Sequence, residues 1–303
     1  MTGPNRRVWR RRIVAALLLV LPLTAQTVLC ASPVAAATGT PRVMVIVEEN
    51  QGYAQVIGNK AAPYITSLAN TYASATNWYG LTDISLTDYV ALISGTKNSY
   101  SAPTLVDKFA AASNPISWKA YMEDAPSPCY LGGRVGNYTK THNPFVHFPS
   151  ITGNPAQCDQ VVPFSGNFNH DFGAGSGSAP SFAFVVPNLC HDMHDSCAPQ
   201  HNPVAQGDQW LKATMSTVLA SQWYAGGGIV IITWDAALTS DHSGWNTGSG
   251  GHVPTIVVSA TSHGAFSSGG NEYGTLRGIC ETYGITPIGQ AASAANGDLR
   301  PAF

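Results

Sequence analysis

Charge is scarce in this chain: Asp, Glu, Lys and Arg make up 11% of 303 residues, against 44% hydrophobic residues. That excludes a disordered, charge-rich polypeptide, and 30 Gly with 20 Pro exclude a long coiled coil. Basic charge is scarcer than the total suggests. Arg6, Arg7, Arg10, Arg11 and Arg12 all precede the apolar run from Ile13 to Leu23, and small residues from Ala31 to Ala37 follow it. This is the layout of a secretory signal peptide, so residues 1–37 are set apart from the fold and a secreted or extracytoplasmic protein is expected. The arginine pairs also suit a twin-arginine exporter. Long hydrophobic runs are otherwise missing, which predicts no stable membrane insertion. Beyond the leader 17 acidic residues face 10 basic ones, a net charge of −7 with His neutral. Nucleic-acid binding thereby loses its electrostatic basis.

Several catalytic signatures are absent as well. There is no G-x-S-x-G elbow, no H-E-x-x-H and no G-x-x-x-x-G-K-[ST], so an α/β-hydrolase triad, a zincin site and a P-loop are excluded. Gly173 to Gly177 and Gly248 to Gly251 do not sit between a strand and a helix and read as loops. Beyond the leader five cysteines remain, an odd number in an oxidising compartment. Cys129 with Cys158 and Cys190 with Cys197 each close a short irregular segment, which leaves Cys280 free.

What is present is an alternation of strands and helices. Val43 to Val47, Phe182 to Val186, Gly228 to Thr233 and Val253 to Ser259 are apolar runs of the kind buried on both faces of a parallel sheet. Helices are expected at Pro63 to Thr71, Asp88 to Ile93, Leu105 to Ala112, Gly207 to Ser221 and Glu272 to Tyr283. The expectation is one α/β domain over residues 38–303, with an irregular insertion at about 127–179 covering one end of the sheet and a loosely ordered tail after Pro287.

Three polar clusters stand where ligands of such sheets gather, at the carboxyl ends of strands. Glu48, Glu49 and Asn50 end the first run, and Thr233, Trp234 and Asp235 end a later one. Strand-end acids are rarely buried without a partner and ask for a cation, although a solvated turn is the alternative. After Val186, the segment from Pro187 to Asp195 packs Asn188, His191, Asp192, His194 and Asp195 together, donors suited to zinc, manganese, iron or calcium. The hydroxyl-rich turn Thr82 to Tyr89 offers Ser85 as a nucleophile near a helix N-terminus, or Ser85, Thr87 or Asp88 as a mere helix cap. The aromatic insertion, with His142 and Asn143, reads either as part of a substrate pocket or as a packed lid. Strand-end acids, a hydroxyl turn and a His/Asp loop together point to metal-assisted ester hydrolysis.

The order of these landmarks resembles the bacterial phosphoesterase family of secreted acid phosphatases and phospholipases C, within the alkaline-phosphatase-like superfamily. It runs from Val47-Glu48-Glu49-Asn50 through Tyr89 to Gly95, Trp118 to Asp124, His142-Asn143-Pro144-Phe145, Val186 to Asp195 and Ile232 to Asp235, to His252-Val253-Pro254. The resemblance implies a three-layer α/β sandwich with a mostly parallel mixed sheet and a divalent metal ion, whose identity the ligand types leave open. By position it implies Ser85 as nucleophile, Asp192 as a further catalytic group, and Glu49, Asn50 and Asp235 as metal ligands. Asn188 and His252 resemble a further metal set, and Asp88, His142, Asn143 and His194 substrate-binding residues. Two departures stand out. Asp88 replaces a phosphate-contacting Asn, adding negative charge beside an anionic substrate unless a cation or proton compensates. Ala236 follows Asp235 where a second acid is usual, with Asp241 or His242 as possible replacements. The function implied is hydrolysis of small phosphate monoesters, with a phospholipase C or phosphodiesterase and a non-catalytic binding member as alternatives. No signal for an oligomeric state is present.

Overall fold

The first apolar run, Arg42–Glu48 (β1), lies in the middle of an eight-stranded sheet in this computed structural model, which describes residues 1–3, 39–238 and 240–303. Apart from its first three residues, the expected leader lies outside the described residues. The other strands are β2 (Ala73–Ala75), β3 (Trp78–Tyr79), β4 (Trp118–Met122), β5 (Val161–Pro163), β6 (Phe182–Val186), β7 (Gly228–Trp234), β8 (Thr255–Val258), β9 (Gly264–Phe266) and β10 (Gly270–Asn271). The large sheet runs β5-β4-β6-β1-β7-β8-β2-β9, and β10 pairs separately with β3. Helices α1 (Pro63–Thr71), α2 (Ser85–Ser94), α3 (Leu105–Ala111), α4 (Phe164–Phe172), α5 (Pro203–Leu219) and α6 (Glu272–Thr282) flank it, with shorter turns between.

Burial explains the centre. Val43, Met44, Ile46 and Val47 of β1 are fully buried, each contributing about 1.5–3 kcal/mol of burial energy. All five residues of β6 are likewise buried, because parallel neighbours carry helices over both faces. Local chemistry sets the helix ends. Thr104 and Asp107 form a reciprocal capping box at the start of α3, an arrangement worth about 1 kcal/mol. Gly95 ends α2 in the left-handed region at φ 69°, where a Cβ would strike the Ile288 carbonyl oxygen.

Four expectations change. β8 runs antiparallel to β7 rather than parallel, and it starts after Pro254, which has no N–H to give a ladder. α2 begins three residues earlier than the apolar pattern indicated, at Ser85. The 127–179 stretch is not merely a cover, since its β5 extends the sheet beside β4 and α4 packs on that strand. The tail is also held: short 3-10 turns follow Ile288, and Leu299 and Ala302 are buried. Both expected disulfides, Cys129–Cys158 and Cys190–Cys197, are formed, and Cys280 is free and buried.

Candidate active site

Parallel pairing brings the polar clusters to one edge. Met122 lies opposite Val186 at the ends of β4 and β6, and Glu48 lies opposite Trp234 at the ends of β1 and β7. The next residues are then stitched by backbone hydrogen bonds: Glu49 N–H donates to the Asp192 carbonyl at 2.7 Å, and Asp235 N–H to the Glu48 carbonyl at 3.0 Å. Acids from three loops therefore meet at the sheet edge.

Glu49, Asp192 and Asp235 are all fully buried. Ser85 Oγ donates to Glu49 Oε2 at 2.9 Å, and Asn50 Nδ2 donates to the same oxygen at 3.1 Å. The backbone N–H of Asn50 donates to Asp235 Oδ1 at 3.2 Å. The alternative reading of Ser85 as a helix cap does not hold, because the N-cap is Ile84, which makes no side-chain cap bond. Ser85 instead occupies the first helical position of α2, beside N–H groups that favour an anion.

His142 lies between two of the acids, with Nδ1 at 3.1 Å from Asp192 Oδ2 and Nε2 at 3.2 Å from Glu49 Oε1. Its ring stacks on Tyr89 with centroids 5.4 Å apart. Burial pushes the imidazole pKa down to about 4, against the pull of Asp235, so the ring is neutral at ordinary pH. Burial, followed by Asp235 and Asp192, raises the Glu49 carboxyl well above the usual range. Burial raises Asp192 in the same way, opposed by the His194 N–H, which donates to Asp192 Oδ1 at 2.8 Å.

This arrangement supplies a test of whether a cation fits. When neutral His142 donates its Nδ1–H to Asp192, the lone pair of Nε2 faces Glu49 Oε1, and that oxygen has no hydrogen-bond donor. Asp235 Oδ2 is buried and equally without a donor. Facing lone pairs repel unless a proton or a cation lies between them, and among the described residues no Lys or Arg pairs with these acids. Ligand atoms of Glu49, His142 and His194 lie within 4.8 Å of one another, which suits one metal ion. The donor set is hard oxygen with imidazole nitrogen, appropriate to a divalent cation.

The remaining sequence candidates lie in other networks. Asn188 donates Nδ2–H to Asp124 Oδ2 at 2.8 Å, and its Oδ1 accepts from the N–H groups of Cys190 and His191 at 3.0 Å each. His252 stacks on Tyr53 with centroids 4.6 Å apart, and its Nε2 has no partner. Asn143 donates to the Tyr138 hydroxyl at 3.1 Å. Asp88 accepts from Thr82 Oγ1 at 2.9 Å. No hydrogen bond ties these four side chains to Glu49. Asp241, the suggested replacement for a missing ligand, is committed to its own loop, accepting from Ser243 and from the His252 N–H.

Sequence reading assigned no role to Glu123. It accepts from the Asn188 N–H at 2.9 Å, from Trp210 Nε1 at 3.0 Å, and contacts His191 Nδ1 at 2.9 Å, so it anchors the loop that carries Asp192 and His194. Its signal was its place directly after β4, at the same sheet edge as the other acids.

Comparison with known proteins decides the family. The Phosphoesterase family profile matches residues 59–286. The chain belongs to the phosphoesterase family. It is a hydrolase acting on phosphate esters, and its fold is that of the alkaline-phosphatase superfamily. Phosphatidylinositol-3-phosphatase of Mycobacterium tuberculosis is 28% identical over 308 residues, which cover 97% of this chain and 95% of that protein. An acid phosphatase of Aspergillus fumigatus is 24% identical over 246 residues, 76% of this chain, which spans about half of that longer protein at 52%. A solved alkaline-phosphatase-superfamily structure from Vibrio parahaemolyticus superposes with a TM-score of 0.58 at 14% identity, covering 84% of this chain and 70% of that one.

Proposed function

We propose that this phosphoesterase is an exported, metal-dependent phosphate monoesterase that uses Ser85 as its nucleophile. The observation that carries the reading is the 2.9 Å hydrogen bond from Ser85 Oγ to Glu49 Oε2, made at a helix N-terminus among buried acids that lack counter-charge. The best-covered relative named above is a phosphatase of a phosphorylated lipid headgroup, which supports a monoester over a diester and admits a lipid-borne substrate. Export is supported by the two disulfides and by the arginine-led apolar N-terminus.

Glu49, Asp235 and His142, with His194 at the rim, are the residues that would hold the metal. When bound, such an ion neutralises charge on the phosphoryl oxygens and favours the serine alkoxide. The chain's own residues do the rest. The first turn of α2 directs N–H groups toward the phosphoryl group. Ser85 Oγ gives its proton to Glu49 Oε2 and bonds to phosphorus as the ester P–O bond breaks. His194 is held through Nδ1 by Asp195 at 2.7 Å, which orients its Nε2 toward the cluster, and the departing alkoxide takes its proton from solvent at this exposed rim. Water then cleaves the phosphoserine, giving phosphate and the free hydroxyl.

The test is hydrolysis of p-nitrophenyl phosphate and of its bis-ester by the purified chain, after chelation and again with single divalent metals restored. Metal-restored monoester turnover supports the reading. Preferential diester turnover would replace it with a phosphodiesterase, and turnover of neither with a binding protein.

A further inference from the structure

Behind the first turn of α2 lie two acids that the reaction above leaves unused. Asp88 is fully buried and follows Ser85 by three residues, on the same helix face. Glu272, the first residue of α6, is 2% exposed, and α6 packs against α2. Three of their four carboxyl oxygens, Asp88 Oδ2 and both Glu272 oxygens, are buried with no hydrogen-bond partner. The N–H groups of Leu81 and of Glu272 itself are close to the Glu272 carboxyl, but neither reaches it with hydrogen-bond geometry. No ion pair joins either acid to a described Lys or Arg, and neither bonds to Glu49 or Asp235.

We propose that Asp88 and Glu272 are both held as neutral carboxylic acids, and that they act as positioning residues that keep negative charge away from the phosphate end of α2. This rests on Ser85 being the phosphate-accepting residue. An ionised, unpaired carboxylate in such surroundings is far more costly than a neutral one. The helix N-terminus favours an anion, but by much less than burial disfavours it. The surrounding groups agree. Burial, then the charge of Asp235, pushes Asp88 up to about 9, while the Thr82 hydroxyl and N–H and Lys97 in the loop after α2 oppose this. Burial, then Asp88, and more distantly Asp235, raise Glu272 well above its ordinary value. The adjoining Tyr273 hydroxyl is itself raised to about 12 by burial and these two acids, so it supplies no charge. A neutral pair preserves the attraction of the α2 N-terminus for a phosphate dianion, which an ionised Asp88 one turn away would cancel.

The experiment follows two readouts against pH in the purified chain and in the variants Asp88→Asn and Glu272→Gln. The first is the unfolding midpoint. A native proton retained up to about 9 on Asp88 is lost from the unfolded chain near the ordinary carboxylate value, so wild-type stability declines as pH rises across that window. Asp88→Asn and Glu272→Gln are each expected to remove a part of that decline, the remainder belonging to the other buried acids such as Glu49 and Asp192. The second is KM for p-nitrophenyl phosphate, expected to rise about tenfold between about pH 7 and about pH 10 in the wild type and to stay flat in Asp88→Asn. Glu272→Gln is expected to leave turnover unchanged at mildly acidic pH. The proposal is overturned if the variants keep the wild-type pH slope of stability. Loss of one bound metal per chain from either variant, measured by elemental analysis, overturns it too, because the acids would then be charged ligands. If the wild type hydrolyses no monoester, the phosphatase reading fails, while the midpoint measurement still decides the protonation of the pair.

Discussion

Ser85 Oγ and Glu49 Oε2 lie 2.9 Å apart although 36 residues separate them in the chain. One is the first residue of α2 and the other the first residue after β1, so the bond joins a helix N-terminus to a strand end. A hydroxyl directed away from its own helix backbone is free for chemistry, which makes the pair the most direct point of attack.

Ser85→Ala should lower kcat for a phosphate monoester by at least about a thousandfold. The stability cost should be small, about 1 kcal/mol for one partly buried hydrogen bond. Paired kinetics and urea unfolding check this. Undiminished turnover would move the nucleophile to another hydroxyl.

Removal of metal should cost both activity and stability. With Glu49, Asp192 and Asp235 buried and lacking cationic side chains, the folded state should gain about 2.7 kcal/mol when free metal is a hundred times its Kd. Thermal unfolding with chelator and with graded metal measures the shift, and Asp235→Asn should abolish most of it. An unfolding midpoint insensitive to chelation would count against a structural cation.

Opening the Cys190–Cys197 disulfide should reduce turnover more than it reduces global stability. The bridge spans a sequence separation of 7 and ties down the loop that carries Asp192 and His194. Chain-entropy arguments assign so short a loop about 2.5 kcal/mol. Activity and denaturant midpoints of Cys190→Ser/Cys197→Ser, compared with wild type, test the claim.

Acid stability should depend on Asp171. Its carboxylate accepts from Tyr121 at 2.6 Å and pairs with Lys119 at 2.7 Å. Burial alone would raise its pKa, but the bonds from Lys119, Tyr121 and His170 outweigh it and the value is lowered. A lowered native value means stability that is fully present above the ordinary aspartate range and lost as pH falls through it. Asp171→Asn should therefore flatten the stability profile below about pH 4 and cost about 1–3 kcal/mol near neutrality. Unfolding free energies across acidic pH provide the check.

The chain's own pattern determined most of the central architecture. Continuous Val and Ile runs identified β1, β6 and β7, and Pro63–Thr71 forms α1 as its apolar spacing implied. The pattern failed for β4, where Lys119 interrupts the apolar run and is neutralised by Asp171, and for β2, whose Ala-Ser-Ala carries no strand preference. Strand-end acids were legible because their position follows from the ends of those runs. Which of them meet was decided only in three dimensions. His142 touches Asp192 across 50 residues of sequence, His194 joins them beside Glu49, Asn188 bonds elsewhere and His252 stacks on Tyr53. Glu123 and Glu272 acquired their significance in the same way. Local periodicity records which side of an element is apolar, whereas strand order and loop packing decide which polar ends converge and which are cut off from water.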